Sequence, residues 1–180
     1  MLCVVDWTWG VTQLDNIVYV VFLFSSVIEM YTADTLSPLA EGIHVEGMKS
    51  PNDIVACRDD RQLYVADDNS CIWRVSADDH TYVKWLPTES AIDTVRTEST
   101  TDTFHTLSVT SRRLLLVTSQ VPGLHQYSTT DGQLIRVISL PGYVVVLRHG
   151  VETTRNTFVV CHRGTSEDKE QCAVSDPYRF

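Results

Sequence analysis

One template recurs along this chain and constrains its fold more than any other feature. The clearest copy spans residues 50–87 and contains Leu63-Tyr64-Val65-Ala66-Asp67, a polar turn, and Ile72-Trp73-Arg74-Val75. Similar pairs of apolar segments occupy residues 18–30 and 115–127, and a fourth, shorter version begins near residue 147. A period of roughly 40 to 50 residues made of short strands indicates a repeat protein rather than a single irregular core.

The pattern of each copy is typical of four short strands joined by tight turns. In the clearest copy, apolar or alternating segments at 53–57, 62–66, 71–75 and 82–86 are separated by polar, turn-forming residues. We therefore predict an all-β chain of β-propeller blades, each made of four antiparallel strands. The blades are expected near 7–45, 50–87, 104–141 and 146–176, the last one partial, so that residues 1–180 form a single incomplete propeller domain.

The third strand of each copy shows which side chains should pack between blades. Side chains alternate between the two faces of a strand, so residues two apart share a face. Aligning the copies without gaps predicts that one equivalent face carries Ile28 and Met30, then Trp73 and Val75, then His125 and Tyr127.

Charge and hydropathy disfavour several classes of protein. With 14 basic and 23 acidic residues the net charge is −9, which repels the phosphates on which nucleic-acid affinity depends. The longest apolar run, residues 17–24, is far shorter than the ~20 residues of a membrane span and indicates a buried strand. Residues 1–15 contain no lysine or arginine, which disfavours a secretory signal, so we expect a cytoplasmic protein.

The five cysteines contain no Cys-x-x-Cys pair, which disfavours a zinc ribbon or a thioredoxin-like motif. Cys57 and Cys71 fall on predicted strands, where a free cysteine behaves as a small buried hydrophobe. We therefore expect reduced cysteines. If any two are bridged, Cys161 and Cys172 are the expected pair.

The stretch Leu63-Tyr64-Val65-Ala66-Asp67, followed by a polar turn and Ile72-x-Arg74-Val75, resembles the NHL repeat of β-propellers, including those of tripartite-motif proteins. It is also similar to YWTD and gluconolactonase-like propellers. The match is good over one copy, about a quarter of the chain, and degenerate in the others. The resemblance implies a six-bladed ring, a top face used for binding, and often no catalysis.

A second resemblance raises an alternative function. Ser50-Pro51-Asn52-Asp53 resembles the stretch in gluconolactonase-like propellers whose asparagine helps to hold a divalent metal at the central channel. This implies a metal-dependent lactonase or esterase, with Asn52 and Asp53 as candidate ligands of calcium or another divalent cation. A channel metal should draw ligands from matching places in several copies. The places that match Asn52 hold Trp7, Phe104 and Val146, and those that match Asp53 hold Thr8, His105 and Leu147, so the ring of ligands is missing. We therefore expect no cofactor, with Asn52 and Asp53 shaping a turn.

The sequence lacks a GxSxG elbow, a P-loop and a GxGxxG motif, so the expected function is a non-catalytic scaffold that presents loops to a protein partner. The irregular insertions fall at 88–103 and 162–171, in connections that leave a meander blade at one end. Repeat proteins tend to place insertions on their binding face. The predicted binding residues are Asp67, Asp68, Asn69, His162 and Arg163. Neutral insertions in tolerant loops are an equally weighted alternative.

An incomplete ring has consequences for assembly. Propellers hide their sheet edges by closing, and this chain lacks the strand that would complete its last copy. We therefore expect either oligomerisation or further blades in a longer parent chain.

Overall fold

A computed structural model describes residues 8–67, 71–87, 104–119, 123–140, 144, 146–153, 157–163 and 170–175. The first sheet contains β1 (Thr8–Leu14), β2 (Ile17–Phe22), β3 (Val27–Thr32) and β4 (Ile43–His44). The second contains β5 (Pro51–Cys57), β6 (Gln62–Asp67), β7 (Cys71–Ser76) and β8 (Tyr82–Pro87). The third contains β9 (Phe104–Val109), β10 (Leu114–Ser119), β11 (Leu124–Ser128) and β12 (Leu134–Ile138). The fourth contains β13 (Val146–Glu152), β14 (Phe158–Arg163) and β15 (Glu170–Ser175).

Every sheet pairs its strands in chain order, and every pair is antiparallel. The prediction of an all-β fold built from four-stranded antiparallel blades is therefore confirmed. Within the described residues the fourth sheet has three strands. The first strands of successive sheets lie beside one another, in the order β1, β5, β9, β13, so we refer to them as the inner strands.

Burial explains why the strands carry the residues they do. β6 is buried from Leu63 to Asp67 because its sheet is covered on both faces, and residues 63–66 accordingly form a continuous apolar run. Three apolar clusters fill the spaces between successive sheets. The first joins Tyr19, Val21, Ile28 and Met30 to Leu63, Val65, Trp73 and Val75. The second joins Tyr64, Ala66 and Ile72 to Leu115, Val117 and Tyr127, and the third joins Leu116, Leu124 and Ile138 to Leu147, Phe158 and Val160.

The face predicted for Ile28 and Met30 was wrong. Both lie on the face of the first sheet that points toward the second sheet. Trp73 lies on the face of the second sheet that points back toward the first, so the two strands do not present equivalent faces. Val21 pairs with Ile28, seven residues later, but at the matching place in the second sheet Ala66 pairs with Ile72, six residues later. The first connection is thus one residue longer. Because side chains alternate, one extra residue reverses the face of the strand that follows.

The buried cysteines follow the prediction made for them. Cys57 and Cys71 are buried free thiols at strand positions of the second sheet. Cys161 of β14 lies directly opposite Cys172 of β15 in the antiparallel register. Whether that pair is bridged stays a prediction.

Candidate functional site

Antiparallel pairing in chain order gives the sheets two ends. At the loop end lie the connections between the second and third strands of each sheet and those from one sheet to the next. At the turn end lie the connections between the first and second strands and between the third and fourth strands. The predicted binding residues belong to the loop end.

Asp67, the first predicted binding residue, ends β6 with its side chain fully buried. Its Oδ1 accepts a hydrogen bond from the backbone N–H of Ser50 (2.9 Å), and its Oδ2 accepts from the N–H of Lys49 (3.2 Å). The indole Nε1 of Trp73 also donates to Oδ2 (3.1 Å). The carboxylate therefore holds the segment that enters the second sheet, and it does not face solvent.

His162 and Arg163 were predicted in a polar connection, but the structure places both in β14, which ends at Arg163. His162 pairs with Gln171 of β15, and its side chain is buried. The predicted connection is therefore shorter than the sequence indicated. Asp68 and Asn69 lie outside the described residues, so a binding role for them stays a prediction.

Asp53, a candidate metal ligand, lies in the inner strand β5 with both carboxylate oxygens hydrogen-bonded. Oδ1 accepts from the N–H of Ile54 and Oδ2 from the N–H of Leu107 in the third sheet, each at 2.8 Å. Burial raises the pKa of this carboxyl, while the two N–H donors and nearby His149 oppose the rise. Among the described residues, no group of three His, Cys, Asp or Glu side chains is arranged to hold a metal ion. A metal held by Asn52 and Asp53 stays a prediction.

The inner strands are linked by side chains as well as by apolar packing. Thr12 Oγ1 accepts from the N–H of Ala56 (3.1 Å) between the first and second sheets. Between the third and fourth sheets, Thr106 Oγ1 donates to the carbonyl of Arg148 (2.9 Å) and Ser108 Oγ donates to that of Gly150 (2.7 Å). With Asp53, these residues show that polar groups on the inner strands serve the joints between sheets.

Two exposed aromatic residues mark the loop end of the first sheet. Phe24, in the connection between β2 and β3, is 80% exposed, and Trp9 near the start of β1 is 47% exposed. β1 begins at this end, since Thr8 pairs with Phe22. Sequence reasoning missed Phe24 because it closes the apolar run 17–24, which predicts one buried strand, whereas β2 ends at Phe22.

The turn end carries two exposed ion-pair clusters between neighbouring sheets. Arg61 forms ion pairs with Asp15 of the first sheet and with Asp78, whose Oδ1 lies 2.6 Å from Arg61 Nε. These carboxylates raise the pKa of the guanidinium. Arg113 of the third sheet bonds to Asp59 of the second (2.8 Å). Exposed pairs of this kind contribute little to stability, because water and salt screen them. They align neighbouring turns more than they stabilise the fold.

A cleft of about 470 Å³ opens at the turn end between the second and third sheets. Arg74 of β7 and Val83 of β8 line its second-sheet wall, while Thr129 and Thr130, in the turn after β11, supply the third-sheet wall. The Arg74 side chain is half-buried. Sequence reasoning expected binding at the opposite end, and Arg74 carries no motif that would have singled it out.

No protein-family model matches the sequence, and no curated protein matches it either. The fold does resemble solved structures. The WD40 β-propeller domain of Doa1 matches with a TM-score of 0.66 at 12% identity, over 93% of this chain and 50% of that one. A chain of a nidogen/laminin complex matches with a TM-score of 0.71 at 14% identity, over 93% of this chain and 60% of that one. The computationally designed Ika4 protein gives 0.62 at 11% identity, over 96% and 93% of the two chains.

At such low identities these likenesses show the fold alone. The chain spans about half of the Doa1 domain and three-fifths of the nidogen/laminin chain. Within the described residues there is no helix long and apolar enough to cross a membrane.

Proposed function

We propose that this chain is a non-catalytic β-propeller scaffold that binds a protein partner through the loop end of its sheets. The observation that carries the proposal is Phe24, a large apolar side chain that is 80% exposed at the tip of a connection. Aromatic residues dominate the few positions that supply most of the affinity in protein interfaces. Trp9 adds a second exposed aromatic side chain at the same end.

The backbone at Phe24 is fixed in an uncommon conformation. Its φ of 61° lies in the left-handed region, which bulky residues rarely adopt. The following residues hold the turn, since the N–H of Ser25 donates to the carbonyl of Phe22 (3.1 Å) and the N–H of Val27 donates to Ser25 Oγ (3.1 Å). A side chain presented on an ordered turn loses less conformational entropy on binding than one on a loose loop.

The structural neighbours support the same function. One neighbour is a WD40 propeller domain, and another comes from a complex of two proteins, nidogen and laminin. We propose further that the repeats are of the NHL type and belong to a longer propeller, on the strength of the sequence match over residues 63–75. No observation within the described residues favours the metal-dependent lactonase or esterase, so protein binding is the function we put forward.

The test is photo-crosslinking from Phe24, followed by affinity measurements with the captured protein. Benzoylphenylalanine replaces Phe24 in the full chain expressed in its native cells, and crosslinked partners are identified by mass spectrometry. Binding is then measured for Phe24→Asn, because asparagine tolerates a left-handed backbone. We expect affinity to fall about tenfold or more, the usual cost of losing an aromatic anchor.

The matched control is Leu36→Asn. Leu36 is also apolar, 64% exposed and left-handed (φ 52°), but it lies at the turn end of the same sheet. Binding should be unchanged in this variant. Equal losses from both variants would contradict binding at the loop end, and crosslinks to no defined protein would contradict the proposed function itself.

A further inference from the structure

Arg74 occupies a repeat position whose equivalents in the two neighbouring sheets are buried. It pairs across its sheet with Tyr64, and the corresponding positions of the first and third sheets hold Met30 and Gln126. Met30 is 8% exposed within the first apolar cluster. Gln126 is 1% exposed and its side-chain oxygen accepts a hydrogen bond from Arg136. Only in the second of these three sheets does the position carry a charge and open onto a cleft.

The guanidinium of Arg74 has unused hydrogen-bonding capacity. Across the described part of the chain, no hydrogen bond or ion pair engages it, although Arg61 and Arg113 at the same end are each paired with two aspartates. A half-buried charge loses hydration that a partner would normally restore. The guanidinium presents five N–H donors in a planar fork that matches a carboxylate.

The carboxylates that line the cleft are already engaged. Asp60 lies 3.1 Å from Thr129 Oγ1, whose single hydroxyl hydrogen it shares with the carbonyl of Arg113 (2.9 Å), and 3.6 Å from Arg113 Nη1. Asp79 accepts from the N–H (3.2 Å) and the hydroxyl (2.8 Å) of Thr81, and hydrogen bonding with Ser76 and Thr81 lowers the pKa of its carboxyl. Within the described residues, both carboxylates are thus held by other groups and neither is paired with Arg74.

We propose that this cleft is a second binding site, independent of the loop end, which takes the carboxylate side chain of an acidic segment of a protein. The guanidinium of Arg74 would bind the carboxylate through two parallel N–H···O bonds. Val83, which is exposed at the cleft, offers an apolar contact for the methylene groups of a glutamate. A doubly charged phosphate fits less well, because Asp60 and Asp79 repel the additional negative charge.

The test is an NMR titration of the full 180-residue chain, labelled with ¹⁵N, at pH 7. The probes are the blocked tripeptides acetyl-Gly-Glu-Gly-amide, its glutamine counterpart, and its phosphoserine counterpart. The Arg74 Nε–H resonance, assigned by its loss in Arg74→Met, is followed. We expect a saturable shift with the glutamate peptide and binding about tenfold weaker with the glutamine peptide, as for loss of a charge-assisted pair.

Arg74→Met should abolish the response, and the variant is expected to fold because methionine occupies this position in the first sheet. Arg74→Gln, which copies the residue of the third sheet, serves if the methionine variant fails to fold. The control is Arg58→Met, which removes an exposed arginine of the same end that does not line the cleft. The control should bind as the unmodified chain does.

Three results of the peptide and variant comparisons would overturn the inference. They are equal binding of the glutamine peptide, equal loss in the Arg58→Met control, and tighter binding of the phosphoserine peptide than of the glutamate peptide. The absence of a saturable shift at Arg74 would overturn it as well. None of these outcomes bears on crosslinking from Phe24, so the two proposals fail separately.

Discussion

The indole N–H of Trp73 donates a hydrogen bond to the carboxylate of Asp67 over 3.1 Å, with both side chains buried. The same carboxylate accepts the backbone N–H groups of Lys49 and Ser50. One aspartate thus joins strands β6 and β7 to the segment arriving from the first sheet. A carboxylate in such a setting is tolerated because several donors replace its lost hydration.

We predict that Asp67→Ala destabilises the chain by about 3 kcal/mol, because three donors, among them the buried indole N–H of Trp73, lose their acceptor. The measurement is the free energy of unfolding from urea denaturation. Asp34→Ala is the control, since Asp34 is exposed and accepts a hydrogen bond from the N–H of its neighbour Thr35 (2.8 Å). Unfolding midpoints that agree between the two variants would contradict this role for Asp67.

Gly10→Ala should also destabilise the chain. A Cβ at this position would lie 2.8 Å from the backbone nitrogen of Ile54 and 3.0 Å from the Cα of Asp53, so β1 would have to move away from β5. We expect a cost of about 1–3 kcal/mol, which exceeds the gain of up to about 1 kcal/mol from a less flexible unfolded chain. Val11→Ala, at the next and exposed position, should shift the melting temperature far less. A Gly10→Ala variant as stable as the unmodified chain would refute the close approach of these strands.

Stability should decrease as the pH rises above 9, in part because of Cys71. Burial raises the pKa of this thiol from 9.0 to about 11, with Asp67 adding to the rise and Lys84 opposing it. Between these values the folded chain keeps the proton and the unfolded chain loses it, so unfolding becomes more favourable as the pH rises. Urea midpoints between about pH 8 and 11 should therefore fall less steeply for Cys71→Ala. Identical slopes would be inconsistent with this effect.

Mild oxidation should link Cys161 to Cys172. Directly opposite residues of an antiparallel pair have Cα atoms about 4.5–5.5 Å apart, within the range that a disulfide spans. Peptide mapping after diamide treatment should recover a bridged fragment, while the buried Cys57 remains unmodified in the folded chain. Recovery of Cys161 and Cys172 as two alkylated thiols would disprove the expected pairing.

The repeated pairs of apolar segments were sufficient to predict the sheets. The alternation of apolar and polar residues and the turn-forming residues between segments depend only on nearby positions in the sequence. The segments expected at 62–66 and 71–75 correspond to β6 and β7 to within one residue. The face of β3 was not predictable in the same way. It depends on the length of the connection that contains Phe24, and a gap-free alignment cannot register one additional residue there.

The candidate sites were less accessible to sequence reasoning. His162 is polar and was therefore assigned to a connection, although it is buried in β14. Arg74 has the sequence position of a solvent-facing residue in an alternating strand. Its importance depends on the turn of the next sheet, which forms the far wall of the cleft and lies more than fifty residues away in the chain.

The joints between inner strands differ in which side-chain groups they use and in whether those groups accept or donate. Thr12 accepts a backbone N–H at the first joint, Asp53 accepts one at the second, and Thr106 and Ser108 donate to carbonyls at the third. Among the described residues, no side chain serves two of these joints. In each case the partner on the facing strand is a backbone group, so the side chains of that strand can diverge while the hydrogen bond is kept.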